Sequence, residues 1–204
     1  MNRERQFFLF VGNHVALDFV NTQMIVKGKL TELLENFEDL VSWLVQAKLW
    51  SKVESERISS RFNPEQTTSL LEQAKRFRAA LRVMVERITT HKPIPHSAVA
   101  DINYILSLRP GYPQVVRIKN GFERRFHSPV APAESVLVPI AEAASDLLCK
   151  IDCALIKKCA NATCILYFYD TTKNHRRNWC SMQLCGNRMK VAAFFRRMRK
   201  SKQS

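Results

Sequence analysis

The sequence predicts an α+β fold that is predominantly helical: an N-terminal helical domain carrying one β-hairpin, then a small four-cysteine domain of short strands and a C-terminal helix. Three observations predict it. Apolar residues recur at spacings of three and four behind recognisable helix caps through most of residues 12–148. One stretch, Val116 to Phe126, switches to strict alternation about an Asn-Gly pair. All six cysteines lie between Cys149 and Cys185, so the C-terminal part follows a different plan from the rest.

In chain order, Asn13 is the expected cap of a short helix in GNHVALDFVNT (residues 12–22), with Val15 and Phe19 turned inward and Asp18 inside the apolar run. A second helix follows Asn36 and carries Leu40, Val41, Leu44 and Ala47. A third opens at Ser51, with Glu54 at capping-box spacing. The strongest helical signal follows Asn63-Pro64-Glu65-Gln66, a cap, a first-turn proline and a reciprocal side chain. Its stripe is Leu70, Ala74, Phe77, Leu81, Met84 and Ile88, and it draws Arg78 onto the buried face, where a guanidinium requires a partner. Ala98 to Leu106 predicts a fifth helix, ending before Pro110. Val116 and Ile118, the turn Asn120-Gly121, and Phe122, Arg124 and Phe126 predict the hairpin. Ser135 to about Leu148 returns to helical spacing, with Pro139 best tolerated near the first turn or as a kink. The change of character falls between Cys149 and Lys157, which divides the chain into domains 1–152 and 153–204.

With 204 residues and 46% hydrophobic content, the chain can bury a substantial core. No apolar run has the roughly 18 residues of a membrane span, and Met1 to Phe10 lacks the pattern of a secretory signal, so a soluble cytoplasmic protein without a membrane partner is expected. The formal charge of +14 is unevenly spread. Residues 157–204 hold 12 Lys/Arg against the one acid Asp170, whereas residues 1–156 hold 20 basic and 17 acidic side chains. A positive surface concentrated in this way suits a phosphate-bearing partner, an anionic membrane or an acidic protein.

Clustered cysteines in a reducing compartment are more often metal ligands or redox groups than disulfides. CANATC (Cys159 to Cys164) and CSMQLC (Cys180 to Cys185) are two CxxxxC pairs separated by fifteen residues and by the β-prone run ILYFYD. Zinc takes four tetrahedral thiolates in structural sites, and metal binding supplies folding free energy that so small a segment lacks. Cys159, Cys164, Cys180 and Cys185 are therefore the expected ligands of one structural Zn2+. His175 is the alternative ligand in place of one cysteine, and Cys149 and Cys153 are expected as buried thiols outside the site. Four thiolates leave no open position for an activated water, so a catalytic zinc is not expected; no catalytic residues are expected elsewhere, the alternative being an enzyme in the front domain that uses Asp18 or His14.

The second knuckle runs into a helix capped near Ser181. Val191, Phe194, Phe195 and Met198 form its expected packing face. Arg188, Lys190, Arg196, Arg197, Arg199 and Lys200 remain for a cationic face, which Arg176 and Arg177 extend through the preceding loop. Trp179, Phe194 and Phe195 are expected in the core rather than as base-stacking platforms.

WCSMQLCGNR (Trp179 to Arg188), preceded by CANATC and ILYFYD, closely resembles the CGNR zinc-finger family, and HVALDFVNT (His14 to Thr22) with FRAALR (Phe77 to Arg82) resembles the ABATE domain that accompanies that finger. The resemblance implies a stress-induced bacterial transcription regulator, with the four finger cysteines mapping onto Cys159, Cys164, Cys180 and Cys185 and the following motif onto Gly186, Asn187 and Arg188. DNA is the partner expected, contacted by Arg176, Arg177, Arg188, Lys190, Arg196, Arg197, Arg199 and Lys200. The front domain would sense a small-molecule effector or form a homodimer. The alternative is a zinc-stabilised protein-interaction module that binds no nucleic acid. Within the front domain, Asp18 and Arg78 are expected to pair, since each alone is costly to bury; the alternative is a ligand pocket lined by Asp18, Asn21 and Arg78.

Overall fold

The computed structural model describes residues 7–109, 111–127 and 133–201, with the side chains of Phe126, His127, Glu134, Arg197, Arg199, Lys200 and Ser201 outside the description. The start of the Met1 to Phe10 segment also lies outside the described residues. The chain is 53% helical, with seven α-helices and three separate antiparallel strand pairs among the described residues. No described helix is long and apolar enough to cross a membrane.

Helix α1 (Val15–Val20) buries Leu17, Phe19 and Val20 completely. Its cap is His14, whose side chain accepts from the Ala16 amide, rather than the expected Asn13. Asn13 instead takes a left-handed φ of 55° and sends its side chain elsewhere. Strands β1 (Gln23–Val26) and β2 (Lys29–Glu32) follow as a tight hairpin not foreseen in the sequence. Its two-residue loop, Lys27 and Gly28, has positive φ at both positions, the geometry that suits the twist of a short ribbon.

Helices α2 (Phe37–Gln46), α3 (Lys52–Ser59) and α4 (Pro64–Thr89) each start at the cap expected, with complete capping boxes at Asn36/Asp39, Ser51/Glu54 and Asn63/Gln66. Helix α4 is the axis of the front half. Its buried stripe of Leu70, Ala74, Phe77, Leu81 and Met84 meets α1, α2, α5 (His96–Ser107) and β5 (Ile156–Lys158). Phe19 and Trp43 touch with ring centroids 5.1 Å apart at the centre of this core. Each such side chain contributes about 1.5–3 kcal/mol through the apolar area it removes from water.

Strands β3 (Tyr112–Ile118) and β4 (Gly121–His127) form the hairpin read from alternation. The loop is Lys119-Asn120, one residue earlier than expected, and Gly121 opens β4 with φ +133°. A 3-10 turn (Ala133–Leu137) leads into α6 (Val138–Cys149), which accepts Pro139 in its first turn. The C-terminal part holds β5 (Ile156–Lys158), β6 (Tyr167–Tyr169), a π-helical turn (Met182–Gly186) and α7 (Asn187–Ser201). Ser181 caps that turn as the sequence suggests, its hydroxyl accepting from the Leu184 amide.

β6 joins the two parts. Successive strand residues point to opposite faces, so Tyr167 enters the front core while Leu166 and Phe168 enter a second, smaller core with Cys159, Cys180 and Cys185. Leu9, Val11 and Met24 from the N-terminal part complete that second core.

Candidate metal centre

The four Sγ atoms of Cys159, Cys164, Cys180 and Cys185 lie within 4.8 Å of one another, with Cys180 3.6 Å from Cys185 and 3.9 Å from Cys164. A tetrahedron of zinc–sulfur bonds of about 2.3 Å has sulfur edges of about 3.8 Å, so these separations suit one shared ion. The four thiols are also close enough to perturb one another. Hydrogen bonds from Cys164 and Cys180 hold the Cys159 thiolate and drive its pKa far below that of a free thiol. For the same reason the bond to Cys159 pushes Cys164 up to about 12 and raises Cys180 as well. A bound dication would hold cysteine sulfurs as thiolates, the form in which zinc takes them.

Backbone geometry builds this nest. Cys164 N–H donates to Asn161 O at 2.8 Å, closing the first knuckle, and Cys185 N–H donates to Ser181 O at 3.0 Å, closing the second. Buried Asn161 gives its Nδ2–H to Cys185 Sγ at 3.4 Å, and its Oδ1 accepts from Thr163 N and Oγ1. Gly186 follows the last ligand in a tight place, where a Cβ would stand 2.7 Å from Met182 Sδ and 3.2 Å from Trp179 Cδ1 and would push the methionine aside. His175, the alternative ligand, is exposed, and its Nδ1 sits 3.3 Å from Asp170 O rather than among the sulfurs. Of the two cysteines outside the cluster, Cys149 is exposed rather than buried and Cys153 is half-buried, its Sγ donating to Leu147 O.

Two family models cover the chain in N-to-C order. Residues 13–151 match ABATE, described as "Putative stress-induced transcription regulator", and residues 156–198 match the CGNR zinc finger. The chain belongs to the ABATE family. These families are of regulator and zinc-finger type, and the CGNR finger with its four gathered cysteines fits one structural zinc. A search of the curated proteins found no match.

The ABATE segment His14 to Thr22 is the seat of the CGNR finger. Asn21 donates to Tyr167 O at 2.8 Å and accepts from Tyr167 N at 3.0 Å, so one side-chain amide stands in for a neighbouring strand. Two residues on, Tyr169 N donates to Gly12 O at 2.7 Å, and Tyr169 O accepts from Asn13 Nδ2 at 3.1 Å. The edge of β6 away from β5 is thereby closed by the flanks of α1. Arg82, one turn beyond Arg78, donates to Val20 O and Gln23 O of the front half and to Ile165 O of the finger. FRAALR contains it, and its i+4 spacing from Arg78 was the available signal.

The expected pairing of Asp18 with Arg78 is corrected by the structure. Arg78 makes a two-pronged ion pair with Glu32 and donates to Thr22 Oγ1 at 2.9 Å. Asp18 instead accepts from the Gly12 amide at 2.7 Å and from that of Val11. A Cβ at Gly12 would stand 2.9 Å from Asp18 Oδ1, so this turn needs the bare backbone. With Asn21 spent on Tyr167, each of the three buried groups has its own partner, and they do not converge on a ligand pocket. An open groove of about 730 Å3 lies elsewhere, between α2 and α3, beside Val41, Val45, Lys52 and Ser59.

Arg177, expected at the nucleic-acid surface, is an internal strap. It donates to Trp179 O at 2.9 Å, Val11 O at 2.8 Å and Cys180 O, and its guanidinium lies 4.2 Å from the Phe168 ring centroid. Arg176, Arg188, Lys190 and Arg196 are exposed, while the side chains of Arg197, Arg199 and Lys200 fall outside the described residues. The packing face expected on α7 is also corrected: Val191, Phe194, Phe195 and Met198 are each about half exposed. Among the described residues, the main contact of helix α7 is with the π turn at its start. Trp179, by contrast, packs on the sulfur-lined core as expected.

Proposed function

We propose that this protein is a transcription regulator that grips DNA through the cationic surface of its zinc knuckle and α7, with residues 1–152 acting as the rigid seat and 153–204 as the contact unit. The observation that supports this reading is the fate of Asp170, the one acid of residues 157–204. It is fully buried, and Lys157 Nζ, Thr172 and the Arg177 amide all donate to it. Burial alone would raise its carboxyl, but these bonds outweigh it and hold the group below the usual carboxylate range. The negative charge is thus spent internally, and Arg176, Arg188, Lys190 and Arg196 face solvent without an acid from their own unit to offset them.

Zinc contributes no chemistry in this reading. It fixes the base of α7 relative to the Arg176 loop, so less ordering free energy is lost when the two meet a phosphate backbone. The test is binding of zinc-loaded protein to duplex DNA across a salt series. The logarithm of affinity should fall linearly with that of salt, by about 0.9 per phosphate neutralised, and Arg176→Ala and Arg188→Ala should each lower the slope by about one. Absence of duplex binding at low salt would replace this reading with the zinc-stabilised protein-interaction module.

A further inference from the structure

Residues 112–127 hold four Lys/Arg and one acid, a net +3 that equals the entire excess of residues 1–156. The rest of the front half is balanced, so its positive charge resides in the β3–β4 ribbon. Among the described residues, the strands of that ribbon pack chiefly on each other. A two-stranded ribbon without a cover is marginal in water.

The register sorts its side chains. Val115 and Arg117 lie opposite Arg124 and Phe122, and so share one face. Val115 is 71% and Phe122 69% exposed, and Arg117 and Arg124 are exposed beside them. The Arg117 guanidinium lies 5.7 Å from the centroid of the Phe122 ring. Glu123, the ribbon's acid, stands on the other face opposite Val116, where Arg125 holds it at 2.8 Å. The outward face therefore presents two guanidinium groups and two large apolar side chains with no carboxylate, and Lys119 extends the charge at the turn.

We infer that this ribbon is a second nucleic-acid contact, an arm that lies in a groove of the duplex with Arg117, Lys119 and Arg124 on phosphates and Phe122 against base or sugar. The inference rests on the duplex-binding reading above and adds a site to it. The major groove of B-DNA admits a two-stranded ribbon, and arms that combine Arg with an apolar wedge are a known mode of DNA contact. A second copy of the chain suits the face less well, because Arg117 and Arg124 would meet their own images.

The experiment uses full-length zinc-loaded protein and a labelled pool of random-sequence duplexes, with affinity measured over a salt series. Arg117→Ala/Arg124→Ala should weaken binding about tenfold or more and reduce the salt slope by about two. Phe122→Ala should weaken binding at unchanged slope, whereas Lys27→Ala/Lys29→Ala, a matched charge loss on the β1–β2 hairpin, should leave both unchanged. All these positions are exposed, and equal melting temperatures verify that the fold is intact. Should the Arg117/Arg124 variant match wild type while Arg176→Ala weakens binding, the arm is overturned and the finger reading stands. Should the Lys27/Lys29 control lose as much as the ribbon variant, only diffuse charge is at work and the arm is again overturned. Loss of an acidic protein partner with duplex affinity intact would overturn it in favour of protein docking, and a wild type that binds no duplex removes both readings.

Discussion

Asp18 shows how one buried carboxyl is tuned by its surroundings. Burial raises its pKa to about 6, against the bonds from Gly12 and Val11 and the nearby Arg177 charge, which pull it down. The unfolded value is near 3.8. Between those two pH values the folded chain holds more protons than the unfolded chain, so Asp18 makes stability fall as pH rises through the window and contributes no further slope above it. The total is roughly 2–3 kcal/mol at about 1.4 kcal/mol per pKa unit. Urea unfolding of wild type and Asp18→Asn from pH 4 to 6.5 should show the wild-type advantage shrinking by that amount, while a pH-independent difference would refute the assignment. The sequence revealed that Asp18 and Arg78 were both drawn into apolar stripes, but not whom each would meet. The partner of Arg78 is Glu32, 46 residues away on a hairpin too short to announce itself by alternation.

Elements were legible where local chemistry decides them. Asn36, Ser51, Asn63 and Ser181 all cap as read, because a side chain three residues from an orphan amide needs no tertiary help. The β3–β4 turn was misplaced by one residue, since Asn-Gly marks a bend without fixing which of its residues belongs to the strand. Helix α7 is the instructive failure. Its stripe at 191, 194, 195 and 198 has amphipathic spacing, but a 15-residue helix is about 22 Å long, its main contact among the described residues is with the π turn at its start, and Val191, Phe194 and Phe195 stay about half exposed. Periodicity identifies a face without saying whether anything reaches it. Phe194→Ser/Phe195→Ser should accordingly change unfolding free energy by no more than about 0.5 kcal/mol. A loss of 2 kcal/mol or more would mean that the stripe is covered in the native assembly.

At the scale of the whole molecule, the two-part organisation and the four sulfur ligands were visible in composition and spacing, but the seam between the parts was not. It is made of main-chain groups answered by Asn13, Asn21, Arg82 and Arg177, and a backbone carbonyl leaves no trace in a sequence. The seam sets how the protein should respond to loss of its metal. Chelation should raise hydrogen exchange at the Tyr167 and Tyr169 amides, which Asn21 and Gly12 protect, while amides in the middle of α4 stay protected. Unchanged exchange at both tyrosines in metal-stripped protein would show that the seat holds the finger without zinc.

The same seam bears on how the chain is made. Asn13 and its strand partner are 156 residues apart, and a ribosome adding about 5–20 residues per second leaves the early segment waiting some 8–30 s for the tyrosines that complete it. During that interval the side chains of Asn13 and Asn21 lack their β6 partners, and a message truncated before the finger yields a product whose first helix packs on α4 and α6 but never gains β6.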